Sequence, residues 1–310
     1  MFIISPRIGL CNQLQTIVKG ILLSIKYNKN IYIDKFQIDL KSYKLCDINF
    51  ILDIEQINDF LKKKVKTSIK ILNKVDENIT NNLDSYVLPN IDYTKIPTMS
   101  YINDDIELNK NMEIIYLGNI VSLDIYKTFN YEYNNYSDNN LYYLIMTNIK
   151  FKCEFYKIKN FIKEELKLNN FNCVHLRIED DALSHFSMCY NLSIEDYNKQ
   201  ILNFYNNNIT NLGKNQIYIS SGMLDFNNSI NNKYYENIMK NNNLLCDKKN
   251  INIDNYYLNN RELIAIIDLL IAYDSENFVG CHISSFSQVI KCYFKLIKNK
   301  DCILFTPLDA

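Results

Sequence analysis

Arginine is nearly absent from this chain. Its 310 residues hold Arg7, Arg177 and Arg261 and no others, in a sequence whose remaining cations are lysines. Where a positive charge alone suffices, ammonium serves. A planar guanidinium fork is needed where phosphate or carboxylate is gripped at two points. The three survivors stand beside Gly9-Leu10-Cys11-Asn12-Gln13, inside Val174-His175-Leu176-Arg177-Ile178-Glu179-Asp180, and at the head of the run leading to Phe278-Val279-Gly280-Cys281-His282-Ile283-Ser284-Ser285-Phe286-Ser287. They point to an anion-binding site assembled from distant segments.

Other absences narrow the classes. The nine cysteines are odd in number, irregularly spaced and without a C-x-x-C pair, which argues against both a zinc site and a disulfide framework. They read as free thiols in a reducing compartment. Met1-Phe2-Ile3-Ile4-Ser5-Pro6-Arg7 lacks the basic region and apolar length of a signal peptide. No stretch is long and apolar enough to span a bilayer, so a soluble, cytoplasmic protein without a membrane span is expected. With a net charge of -1 and lysines spread along the chain there is no footprint for nucleic acid. The phosphate-binding G-x-x-x-x-G-K-[ST], H-E-x-x-H and G-x-S-x-G patterns are all missing, which leaves kinase, zincin and serine hydrolase readings unsupported.

What is present is a globular composition, 47% hydrophobic and 13% aromatic, on a length sufficient for two domains. Residues 2–5 read as a buried strand, followed by a glycine turn, a helix over 14–27 and a strand at 31–33. Residues 35–111 show weak periodicity broken at Pro89 and Pro97, and only short elements are expected there before a strand at 113–117. From about residue 154 the alternation is regular. Helix 154–168, strand 171–176, helix 194–205, strand 216–220, helix 228–240, strand 251–253, helix 261–273, strand 277–279, helix 285–297 and strand 302–305 predict a parallel sheet with helices on both faces. The domains are expected at 1–150 and 151–310, the second Rossmann-like and the first beginning in the same way.

Ligands of open α/β sheets bind at the carboxyl ends of the strands. Three marked segments fall there. Gly9 to Gln13 follows the first strand, His175 to Asp181 follows a second, and Ser284-Ser285 follows a third and opens a helix. Such a helix start offers free amides, a favourable dipole and two hydroxyls to an anion, although plain capping uses the same residues. Strand alternation puts His175 and Arg177 on one face; a structural ion pair of Arg177 with Glu179, Asp180 or Asp181 competes with ligand binding. Asp268, Asp274 and Glu276 flank the next helix and strand, and a carboxylate there can accept from the N–H groups of guanine or serve as a solvated loop acid. Cys11 and Cys281 have no adjacent base and read as packing residues rather than nucleophiles.

The order Gly9-Leu10-Cys11-Asn12-Gln13, His175-Leu176-Arg177-Ile178-Glu179-Asp180, Ile217-Tyr218-Ile219-Ser220-Ser221, Asp268, Phe278-Val279-Gly280 and Ser284-Ser285-Phe286-Ser287 resembles the GDP-fucose protein O-fucosyltransferase family. The resemblance spans nearly the whole chain, with no motif matched between about 35 and 150. It implies an α/β fold of two Rossmann-like domains facing across a cleft, the GT-B arrangement. It implies inverting, metal-independent transfer of fucose from GDP-fucose to a hydroxyl of a glycan or protein, with no cofactor. Arg177 would hold the β-phosphate and leaving oxygen, and Asn12 would stand near fucose and acceptor. Gly9, Cys11, Gln13, His175, Asp268, Glu276, Ser284, Ser285 and Phe286 would line the nucleotide-sugar site, with Glu276 at guanine.

Three departures refine the expectation. The α-1,6 branch carries two consecutive arginines, whereas Arg177 is followed by Ile178. One branch places a glutamate base in the glycine loop, where this chain has Asn12-Gln13, so the base stays unassigned among Asp180, Asp181 and an acceptor-side water. Eukaryotic relatives work in the secretory pathway with disulfides; the free thiols here fit a viral or bacterial enzyme acting on a glycan. A GT-B transferase using another nucleotide sugar, and a non-catalytic nucleotide- or glycan-binding protein on the same fold, are the rival readings.

Overall fold

The computed structural model of the chain describes residues 1–39, 42–74, 85–87, 110–120, 140–222 and 229–307. The breaks expected at Pro89 and Pro97 lie outside these residues. Contacts divide the chain into two compact units, Met1–Cys153 with Asn259–Leu263, and Glu154–Leu258 with Ile264–Ala310.

The first unit is built on β1 (Phe2–Ile4), α1 (Leu10–Tyr27), β2 (Ile31–Ile33), the hairpin β3 (Phe36–Asp39) and β4 (Lys44–Cys46), α2 (Ile48–Ile51), α3 (Ile54–Phe60), β5 (Ile71–Leu72), β6 (Ser85–Val87), β7 (Ile114–Gly118) and α4 (Leu141–Thr147). Five strands form one sheet in the order β5-β2-β1-β7-β6, and every pairing is parallel. A parallel sheet is buried on both faces, so its strands are continuous apolar runs: Phe2, Ile4, Ile31, Ile33, Ile114 and Ile115 are fully buried. α1 lays Leu14, Ile17, Val18, Ile21 and Leu22 at helical spacing into this core. Gly20 permits the approach, because a Cβ there would come within 2.7 Å of Ile31 Cδ1 and 3.0 Å of Ile4 Cδ1. The helix starts at Leu10, four residues earlier than the apolar pattern predicts, since polar Asn12 and Gln13 belong to its first turn.

The second unit contains α5 (Cys153–Glu165), β8 (Asn172–His175), α6 (Asp180–Cys189), α7 (Ile194–Asn211), β9 (Ile217–Ser220), α8 (Asn232–Asn241), β10 (Leu245–Cys246), α9 (Asn255–Leu258), α10 (Arg261–Asp274), whose residues up to Leu263 belong to the first unit, β11 (Phe278–Cys281), α11 (Ser285–Tyr293) and β12 (Ile303–Phe305). Its sheet runs β10-β9-β8-β11-β12, all parallel. From β8 the chain grows outward through β9 and β10, then returns to place β11 and β12 on the other side. That reversal puts the switch point between β8 and β11.

Two elements differ from the sequence pattern. The strand expected at 251–253 is a tight turn, with Ile253 N–H donating to Ile251 O, and the edge strand lies earlier at β10, where only two residues pair. The second is α6, which was not foreseen. Asp180 and Asp181 occupy its first turn, favourable at the positive end of a helix, and Ala182, Leu183 and Phe186 bury its inner face.

Candidate functional site

At the switch point β8 ends on His175 and β11 ends on Cys281. Gly280 makes the meeting possible: a Cβ on it would stand 2.4 Å from Ser287 Oγ, so only glycine lets Ser287 lie against the strand. Ser287, fully buried, accepts the Cys281 N–H at 3.1 Å and stands 2.9 Å from His175 Nδ1. The imidazole packs on the Phe286 ring, centroids 4.6 Å apart, and is 6% exposed. Burial, reinforced by the charge of Arg177, lowers its pKa to about 3, so the ring is neutral at physiological pH.

Arg177 lies two residues past the strand. Tyr205 holds this stretch by donating to His175 O at 2.7 Å and accepting the Arg177 N–H at 3.3 Å. The guanidinium pairs with buried Glu179 at 2.8 Å and, through both terminal nitrogens, with half-exposed Asp181 at 3.0 and 3.3 Å. Burial alone would favour the neutral guanidine, but these two carboxylates outweigh it and hold the pKa above its ordinary value. The competing ion pair considered from sequence is therefore present, with Glu179 its buried partner and Asp181 its half-exposed one.

The start of α11 is open. Ser284 is the N-cap residue but its hydroxyl makes no capping bond, and among the described residues neither Ser284 Oγ nor Ser285 Oγ has a hydrogen-bond partner. The first-turn amides have no acceptor within the helix, and the macrodipole adds positive potential. Two hydroxyls, first-turn amides and a neutral imidazole thus meet at one helix end, a combination suited to a phosphate-bearing ligand.

In the first unit the glycine loop is arranged differently. Ile8 has φ 75°, unusual for a β-branched residue, and is held there by Gln37 Oε1, which accepts its N–H, and by Gln13 Nε2, which donates to its carbonyl. Gln13 also donates to Gln37 O and accepts Gln37 N–H, so its amide is fully committed inside the protein and is not available to a ligand. Gly9 is the N-cap of α1, and the Leu10 amide donates to the Glu262 carboxylate. The protein's own anion therefore sits at this helix start. Cys11 is buried, and burial together with Glu262 raises its thiol pKa, which suits a packing residue rather than a nucleophile. Asn12 is half-buried, and its side chain makes no hydrogen bond among the described residues. Arg7 donates to the Pro6 and Lys35 carbonyls, and Arg261 approaches Glu262 at 3.9 Å.

Of the acids expected near guanine, Asp274 and Glu276 lie away from the switch point, whereas Asp268 reaches Ser220, the last residue of β9 and the register partner of His175. Asp268 is buried on α10, and its carboxylate accepts from Tyr218 Oη at 2.7 Å, Ser220 Oγ at 3.2 Å and Lys248 Nζ at 2.7 Å. That network fills it, and it braces β9. Glu276 stands before β11, its N–H on Phe171 O, at the amino ends of the strands and opposite His175; Lys300 pairs with it at 2.8 Å. Asp274 is held by Lys159 and Lys163. Asp180 accepts from Ser229 Oγ and Ile230 N–H, so of the two candidate bases one ties a loop and the other holds Arg177.

Sequence reasoning named Glu179 as a possible ion-pair partner of Arg177 but missed Ser287 and Tyr205 as organisers of the site. Gly280 and Ser287 at seven-residue spacing around a strand end was the available signal; nothing in the sequence marks Tyr205, one tyrosine among 24. Among the described residues no group of three or more His, Cys, Asp or Glu side chains is placed to hold a metal ion, all nine cysteines are free thiols, and no helix is long and apolar enough to cross a membrane.

No protein-family model and no curated protein sequence matches the chain. Solved structures do. The crystal structure of POFUT1 in complex with GDP superposes with a TM-score of 0.62 over 99% of each chain at 12% identity. POFUT1 in complex with GDP-fucose gives 0.61 over 98% of this chain and 97% of that one, also at 12% identity. Fucosyltransferase NodZ from Bradyrhizobium gives 0.52 over 94% and 91% at 11% identity. The fold, two parallel α/β sheets, is that of these GT-B fucosyltransferases.

Proposed function

We propose that the chain is a fucosyltransferase that moves fucose from GDP-fucose to a hydroxyl, preferentially of a glycan, with inversion and without a metal, in a reducing cytoplasmic setting. The observation that supports this most directly is the open start of α11, where unpartnered Ser284 and Ser285 hydroxyls and free amides lie beside neutral His175 at the switch point. The fold it shares with proteins crystallised with GDP and GDP-fucose supports a GDP-sugar as donor.

In the reaction the acceptor oxygen attacks the anomeric carbon as the bond to the β-phosphate oxygen breaks, and negative charge grows on departing GDP. Fixed donors aimed at that charge lower the barrier, each contributing about 3 kcal/mol. Ser284, Ser285 and the α11 amides are assigned to the diphosphate. Arg177 joins them by exchanging half-exposed Asp181 for phosphate while Glu179 keeps it in place. Asn12 is assigned to sugar and acceptor. The acceptor proton goes to a base not yet identified.

Calorimetric titration with GDP-fucose, GDP, GDP-mannose, UDP-glucose and UDP-N-acetylglucosamine, without added metal, tests the reading. Guanine nucleotides are expected to bind, and Ser284→Ala with Ser285→Ala to weaken GDP by at least about tenfold, with an unchanged unfolding midpoint because neither hydroxyl is used in the fold. Arg177→Ala is expected to abolish binding, with the two serine variants deciding if buried Glu179, left without its cation, prevents folding. Equal binding of uridine nucleotides, or none of any, would overturn the assignment.

A further inference from the structure

Ser287 is fully buried, and its single hydroxyl proton has to go somewhere. Its oxygen already accepts the Cys281 N–H at 3.1 Å, and the other polar atom in reach among the described residues is His175 Nδ1 at 2.9 Å. If Nδ1 carried the imidazole proton and donated, the hydroxyl proton would be left buried without an acceptor, which costs about 1–3 kcal/mol. With the hydroxyl donating to Nδ1, the hydroxyl proton, Nδ1 and the Cys281 amide are all paired. The neutral ring then carries its proton on Nε2. That nitrogen has no hydrogen-bond partner among the described residues, although the side chain around it is more than nine-tenths buried, and the ring rests on Phe286 in the first turn of α11.

We propose that Ser287 is a positioning residue that locks His175 in the Nε2–H tautomer, making the imidazole an uncharged hydrogen-bond donor to a phosphate oxygen of the ligand at the start of α11. The ligand half of this inference rests on the nucleotide-diphosphate reading above; the tautomer half does not. Gly280 belongs to the same device, since without its missing Cβ Ser287 could not reach the strand. The arrangement also removes His175 from the candidates for general base. With Nδ1 occupied by Ser287 and Nε2 protonated, the ring has no lone pair to offer the acceptor hydroxyl.

The chain has three histidines, so imidazole signals can be assigned on the intact protein labelled with nitrogen-15 histidine, using His185→Gln and His282→Gln for the two exposed rings. Long-range proton–nitrogen correlation of ligand-free protein is expected to show His175 protonated at Nε2 and unprotonated at Nδ1, unchanged between pH 8 and pH 5.5. Ser287→Ala should convert it to a mixture of tautomers and weaken GDP about tenfold. An Nδ1–H pattern in the unsubstituted protein, or the same single tautomer in Ser287→Ala, overturns the proposal; should Ser287→Ala fail to fold, the unsubstituted spectrum decides. GDP added to saturation should move the Nε2 resonance. GDP binding that leaves it unmoved refutes the donor role and spares the proposed function, whereas absence of GDP binding refutes the proposed function and leaves the tautomer to the ligand-free spectrum.

Discussion

Gly280→Ala puts a methyl group where Ser287 now lies. Its Cβ would stand 2.4 Å from Ser287 Oγ, 2.8 Å from Phe278 Cε1 and 3.1 Å from Phe278 Cζ. Neither neighbour can swing into solvent, since Ser287 is 0% and Phe278 1% exposed. Overpacking of this kind costs about 1–3 kcal/mol, and driving Ser287 away strands the buried Cys281 amide for about 1–3 kcal/mol more. A total near 4 kcal/mol is a large share of the roughly 5–15 kcal/mol that holds an ordinary domain. Urea unfolding followed by circular dichroism measures the total, and hydrogen exchange of the peptide covering residues 278–287 locates it at the strand end. Gly280→Ala combined with Ser287→Gly relieves the oxygen contact but keeps the Phe278 contact, leaves the Cys281 amide without its acceptor and puts a glycine in the helix, so little of the loss should return. If Gly280→Ala unfolds within about 0.5 kcal/mol of the unsubstituted chain, the close packing of Ser287 against β11 is not what shapes the site.

Two further outcomes follow from the same unit. Asp268→Asn removes the charge opposite buried Lys248 and should destabilise by about 3 kcal/mol while folded protein keeps its GDP affinity within about twofold; lost guanine affinity at full stability would return Asp268 to the ligand. His175, with its pKa lowered to about 3, is neutral in the fold and takes up a proton in the unfolded chain below about pH 6.5. Its folded pKa is below the unfolded one and it is a base, so stability falls as pH drops through that window. Between pH 7 and pH 5 this one group should remove about 2 kcal/mol relative to His175→Asn, and parallel unfolding curves for the two proteins would contradict the buried neutral ring.

Much of the scaffold was legible because its signals are local. Buried parallel strands such as Phe2–Ile4 and Asn172–His175 are short apolar runs, and α1, α7 and α10 carry their periodicity over 14 to 18 residues. Where an element is two residues long, as β10 is, pairing with β9 decides its place, and the apolar alternation of Ile251 and Ile253 pointed to the wrong spot. α6 is hard to see in the sequence because its first residues, Asp180 and Asp181, continue the polar Arg177 motif and only Ala182, Leu183 and Phe186 mark its buried face.

The site divides along a different line. Sequence motifs locate polar residues at strand ends, and they did so for His175, Arg177, Ser284, Ser285, Asn12 and Gln13 alike. They do not show whether a residue's hydrogen-bonding capacity is already used, because the partner that uses it is remote. Gln13 is consumed by Gln37, 24 residues on; Asp268 by Tyr218, 50 residues back; and the Leu10 amide by Glu262, 252 residues on. Remaining capacity is what a ligand needs, since a buried donor with no partner is costly until something fills it. By that criterion Ser284, Ser285 and His175 Nε2 in the second unit, and Asn12 in the first, keep capacity for a ligand, whereas the side chains of Gln13 and Asp268 are already engaged. Arg177 stands between the two groups, bound to carboxylates of which one is buried and fixed and the other half-exposed, so its part depends on a phosphate competing successfully with Asp181 and not with Glu179.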